Sequence, residues 1–199
     1  TAVQMNMPAP SGELADVILG FDSAAAYRDT ETYFGATVGR FANRIANGRF
    51  PLDGREVVLP ANNAPAGRPC HLHGGVRGFD KHVWRAEPLA EGPEPAVRFT
   101  HTSPDGDQGF PGTLEASVVF TLAGDTLRLA YEARAGAPTA VSLTHHGYFN
   151  LAGAGRGTVL DHHVTLRASH YTPVDGQGIP TGEIAAVEGT PFDFRAACA

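Results

Sequence analysis

Leu114 to Arg134, LEASVVFTLAGDTLRLAYEAR, is the stretch that decides the class of fold. Leu114–Leu122 is rich in β-branched and apolar residues and reads as a strand. AlaGlyAspThr (123–126) reads as a turn. Leu127 to Arg134 then alternates apolar with polar side chains, the period of a strand that buries one face. Two strands joined by so short a turn lie antiparallel, because a parallel return needs a crossover of a dozen residues or more.

The same grammar extends outward. Val97–Thr102 alternates, and SPDGDQGFPG (103–112) is a long polar loop by composition. Further upstream, Arg49–Leu52, Asp53-Gly54 and Arg55–Leu59 form a hairpin signal, since Asp-Gly supplies the positive φ angles of a tight turn. Downstream, residues 139–145 and 159–167 read as strands. Near the start, residues 15–21 read as a strand and 23–27 as one helical turn. No 3.6-residue period persists, and there is neither an internal repeat nor a low-complexity linker. These patterns predict one mostly β, antiparallel domain over residues 1–199, a sandwich or a barrel.

Composition agrees. The chain has 199 residues, 42% of them hydrophobic, enough for one large domain or two small ones. Gly 24 and Pro 15 beside only 18% charged residues suggest many turns between short strands. A net charge of −6 argues against nucleic acid, which requires a basic surface. No apolar run is long enough to span a bilayer and no leader is recognisable at the start, so no membrane association is expected and the cytoplasm is the default location. Cys70 and Cys198 could pair, but they make no disulfide framework.

Nine histidines offer most of the chemistry, six of them in the groups CHLHGG (70–75), THHGYF (144–149) and DHHV (161–164). His162 and His163 have nothing converging on them and read as structural. His71-x-His73 would place two imidazoles on one strand face and suggests a metal pair, but no Glu follows, a third ligand would have to be recruited from His145 or His146, and a metal is not expected. In THHGYF, alternation puts His146 and Tyr148 on one face and His145 on the other. One histidine of the pair can then serve as a general acid or base, while Tyr148 walls a sugar ring or packs in the core. Arg44 carries a fork of donors suited to hydroxyls or carboxylates, and Asn43 both donates and accepts, although an ordinary surface loop explains that run equally well.

Taken together, DVILGFDS (16–23), YFGATVGRFANRIANGRFPLDG (33–54), LHGGVRGFDKHVW (72–84), SPDGDQGFPGTL (103–114), THHGYFNLAG (144–153) and YTPVDGQGIPTGEIAAVEGTPFDF (171–194) resemble the aldose 1-epimerase (galactose mutarotase) family, in the family's order and over nearly the whole chain. The resemblance implies a large antiparallel β-sandwich with a sugar cleft. It also implies interconversion of the α and β anomers of aldohexoses such as galactose and glucose, with no metal and no organic cofactor. It places the proton-donating histidine on His146, a second sugar-contacting histidine on His73, and the substrate-binding Asn-Arg on Asn43 and Arg44. His145 stands where many members have Asn.

The same resemblance places the general-base glutamate beyond residue 199 and further strands before residue 1. The chain is therefore expected to be a domain incomplete at both ends, with no general base of its own, and Glu183 and Glu188 do not match the base position. A second chain or self-association could then complete the sheet edges. A carbohydrate-binding sandwich that has lost catalysis is the alternative function.

Overall fold

In the computed structural model, residues 1–9 and 11–196 are described. The fold is mostly β, as expected, with one short α-helix, Ala24–Asp29, and a few 3₁₀ turns. The helix begins where Ser23 caps it, its Oγ accepting from the Ala26 N–H at 3.3 Å. Contacts divide the chain into two compact units. The first comprises Thr1–Ala36, Pro65–Arg68 and the chain from His146 onward; the second comprises Thr37–Ala64 and Pro69–His145.

The second unit contains the largest sheet. Its strands run antiparallel in the order Thr126–Ala135, Leu114–Ala123, Ala96–Ser103, Arg85–Ala90. The hairpin anticipated at 123–126 closes with Ala123 opposite Thr126 and Gly124 at φ 58°. Alternation explains why the sheet holds. Leu114, Ala116 and Val118 are buried, whereas Glu115 is exposed and Ser117 only half-buried. Leu114 and Ala116 form a core with Phe79, against which Trp84 and Leu143 pack. The second hairpin, Arg49–Leu52 with Arg55–Val58, turns at Asp53 (φ 48°) and Gly54 (φ 74°), the two positive angles the Asp-Gly pair predicts.

The polar loop 103–112 is not merely solvated. It wraps the side chain of Arg40, which is 2% exposed. All five guanidinium N–H donors are used. Nε donates to Ser103 Oγ at 2.9 Å. One terminal nitrogen donates to the carbonyls of Pro111 and Gly112, the other to those of Ser103 and Pro104. The Phe110 ring lies 5.9 Å from the guanidinium carbon. The sequence had pointed to Arg44 in this run and passed over Arg40.

Three strand expectations are corrected. Of residues 15–21 only Leu14–Asp16 forms a strand, paired with Asn6–Pro8, and Ile18 makes an isolated bridge to Phe149. Of 139–145 only Thr144–His146 is strand. Residues 159–167 form no strand. Here the His162 N–H and ring Nδ1 both turn onto the Val159 carbonyl, at 3.1 and 2.9 Å, closing a turn in place of a ladder. The apolar residues stay exposed, Leu160 at 77% and Leu166 at 51%, so burial gives this stretch no reason to extend. No helix among the described residues is long and apolar enough to cross a membrane.

Candidate active site

In the second unit, Arg44–Ala46 pairs antiparallel with Cys70–Leu72, Arg44 opposite Leu72. Asn43 and His73 sit just past the end of this ladder. Both leave the strand with positive φ, 64° and 51°, a conformation that side-chain-bearing residues rarely adopt. They hold each other there. The Asn43 N–H donates to His73 Nδ1 at 3.0 Å, and the His73 N–H donates to the Asn43 carbonyl at 3.2 Å. Because Nδ1 accepts, the proton of the neutral ring lies on Nε2, and His73 presents a donor on its far side. Strained residues held by reciprocal bonds are a pattern of binding sites. Gly74, next in line, has φ 91°, and a Cβ there would fall 1.7 Å from the Gly39 carbonyl oxygen. Only glycine lets the loop pass so close. Arg44 is half-buried, and its Nε donates to Asn63 Oδ1 at 3.1 Å.

In the first unit, the histidine of interest is framed by aromatics. The His146 ring lies 5.6 Å from that of Tyr33 and 5.1 Å from that of Tyr148. Phe34 meets Tyr148 edge-on at 5.0 Å. The backbone pins the frame: the Gly35 N–H donates to the His146 carbonyl at 2.9 Å, and the Leu19 N–H donates to that of Tyr148 at 2.8 Å. His146 remains half-buried and Tyr148 is 41% exposed. The His146 and Tyr148 rings are thus neighbours, although the strand ends at His146 and strict alternation does not extend to Tyr148. His145 turns to the opposite side, where its ring meets Phe120 edge-on at 6.1 Å within the second unit. Sequence reasoning missed Tyr33 as a partner of His146. Its signal was the TyrPheGly run at 33–35, which carries no chemistry until the fold brings it to residue 146.

The single strand face considered for His71 and His73 is not formed. The strand ends at Leu72, so alternation does not extend to His73. The Nδ1 of His73 is taken by Asn43, and the Nδ1 of His71 lies 2.9 Å from the Pro60 carbonyl, to which it donates. His71 is fully buried, and burial holds its pKa below the ordinary 6.5. The unfolded chain therefore takes up a proton near ~6.5 that the folded protein refuses. Stability conferred by the neutral ring is complete above that pH and is lost as pH falls toward the folded value, by at most about 1.4 kcal/mol per pH unit per proton. The melting temperature is expected to fall between about pH 7 and pH 5, less steeply in His71→Gln. Parallel curves for the two proteins would remove His71 from the account. Cys70, also buried, has Sγ 3.5 Å from Asn63 Oδ1. Cys198 lies outside the described residues. His162 is structural, as expected: its Nε2 accepts the Leu151 N–H at 2.9 Å.

Comparison with known proteins places the chain in a family. The aldose 1-epimerase family model matches residues 3–199. The galactose mutarotase of Bos taurus is 50% identical over 184 residues, 92% of this chain and 52% of its own length. The aldose 1-epimerase of Escherichia coli is 39% identical over 198 residues, 99% of this chain and 55% of its own. Among solved structures, a GalM/aldose epimerase homologue from C. elegans superposes with a TM-score of 0.88 at 33% identity, covering 100% of this chain and 58% of that one. The chain therefore belongs to the aldose 1-epimerase family, and the mostly β fold is that of its solved members. It spans about half the length of the curated relatives it matches.

Proposed function

We propose that the protein is an aldose 1-epimerase that interconverts the α and β anomers of aldohexoses, galactose and glucose among them. Family membership supports the reaction class, and relatives bearing the name galactose mutarotase support the sugar. The observation that carries the reading is the setting of His146, a half-buried imidazole held by backbone bonds beside two tyrosine rings. Aromatic faces suit the apolar face of a pyranose, and an imidazole beside them is suited to proton transfer.

In this reaction a base removes the proton from the anomeric hydroxyl while His146 gives its proton to the ring oxygen. The C1–O5 bond breaks and leaves the open-chain aldehyde. Rotation about C1–C2 presents the other carbonyl face, and the same groups return the protons in reverse. His73, with its proton on Nε2, donates to a sugar hydroxyl. Asn43 and Arg44 supply the remaining polar contacts, and Tyr148 walls the ring. The general base is assigned to no residue of this chain; Glu183 and Glu188 are exposed and are not proposed for it. Neither a metal nor an organic cofactor takes part.

Polarimetry tests the reading. Freshly dissolved α-D-galactose and α-D-glucose are expected to reach anomeric equilibrium faster with the protein than in buffer. Sugar binding with no acceleration would replace the enzyme by a carbohydrate-binding domain.

A further inference from the structure

The second unit carries a histidine pair that the proposed reaction does not use. His101 lies on the strand Ala96–Ser103, opposite Ala116. His82 directly follows the 3₁₀ turn Phe79–Lys81. Their ring centroids are 4.6 Å apart and the planes are tilted by 33°. On its remaining sides His101 is walled by Trp84 at 5.4 Å and by the edge of Phe79 at 5.1 Å. The Nε2 atoms of both histidines are buried, and neither meets a hydrogen-bond partner among the described residues. Buried ring nitrogens are rarely left in that state, because each gives up water and gains nothing in return. Two orphans side by side, flanked by aromatic rings, point to a shared occupant.

Asp107 completes the cluster. One ring nitrogen of each histidine and a carboxylate oxygen of Asp107 all lie within 4.8 Å of one another. Asp107 is positioned by the fold: it opens the short turn Asp107–Gly109, and its Oδ2 accepts the Ser103 hydroxyl, which in turn accepts from Arg40. A carboxylate that accepts one hydroxyl retains lone pairs for a metal. The hydroxyl fixes its orientation, as partners of metal-ligating carboxylates do.

We propose that His82, His101 and Asp107 bind a divalent borderline transition ion of the zinc type, with two imidazole nitrogens, one carboxylate oxygen and a fourth position left for water. The donor set selects the ion. Two imidazoles suit zinc and its neighbours, whereas calcium and magnesium require oxygen ligands. Zinc holds such donors at about 2.0–2.2 Å, so in a tetrahedron they stand roughly 3.4 Å apart, and binding draws the three side chains inward by up to about 1 Å. The ion brings the turn after Phe79 and the turn at Asp107 to the strand bearing His101, and its role is structural. The nearby Arg40 charge opposes the ion, and Asp107 offsets it.

Titrating chelator-stripped protein with zinc at neutral pH, followed by calorimetry and by the melting temperature, tests the site. One zinc ion per chain is expected, with a rise in melting temperature. His82→Gln and His101→Gln are each expected to weaken binding by about 10-fold or more, and His163→Gln, at an exposed histidine, to leave it unchanged. Should a variant fold poorly, the wild-type protein still decides: its His82 and His101 imidazole ¹⁵N resonances must shift on zinc addition. Absence of stoichiometric binding, resonances that stay in place, or binding undiminished in both variants would overturn the proposal.

Discussion

Arg40→Ala is expected to destabilise the protein by about 3–5 kcal/mol, the cost typical of removing one partner from a buried charged network. The magnitude follows from what the side chain leaves behind. Four carbonyls, of Ser103, Pro104, Pro111 and Gly112, and the Ser103 hydroxyl all lose their guanidinium donor. Each such group, buried and unmatched, costs about 1–3 kcal/mol, and the loop can recover part of that by opening to water. Against a total stability of about 5–15 kcal/mol the loss is large enough to unfold a marginal chain. Arg40→Lys keeps the charge but has three donors on a tetrahedral nitrogen and no planar fork, so an intermediate loss is expected. Urea denaturation of the three proteins measures this. An Arg40→Ala midpoint matching that of the wild type would mean that the loop 103–112 holds its shape without the arginine.

His146→Ala is expected to lower the mutarotation rate by about 10²–10⁴-fold, the range contributed by a positioned general acid. The loss should fall on kcat, with a much smaller change in sugar affinity, because the histidine is proposed to act on the ring oxygen as the bond breaks. His146→Gln discriminates further: it retains hydrogen-bonding capacity but cannot cycle a proton, and it should be about as slow as the alanine variant. A glutamine variant near wild-type rate would make His146 a binding residue and move the acid elsewhere. The tyrosine neighbours sharpen the comparison, since the Tyr33 and Tyr148 rings remain in both variants to receive the sugar.

Which parts of this protein were legible before folding follows from the range of the forces involved. The strands around 97–102, 114–122 and 127–134 emerged because a period of two, sustained along each stretch, has one structural solution when half the side chains need burial. The turn at 53–54 emerged because Asp-Gly tolerates two positive φ angles in succession. The stretch 159–167 shows the limit of that logic. It too carries β-branched and apolar residues, yet His162 captures the Val159 carbonyl and the apolar side chains remain exposed. Local pattern states what a segment is able to do, and burial decides whether it does so.

The site divides in the same way. The sequence by itself determined that His145 and His146 point to opposite faces of one strand, and that the motifs resemble those of one sugar-isomerising family. Tertiary structure alone decided the rest. Asn43 meets His73 across 30 residues, Arg40 reaches acceptors 63 to 72 residues away, and His82 comes to lie beside His101 only because the turn after Phe79 packs against the sheet. Such contacts carry no periodic signature, because each is a single pair whose partners are chosen by packing. An arginine in the sequence looks the same whether water or four carbonyls will receive its protons, and only the folded chain supplies the carbonyls.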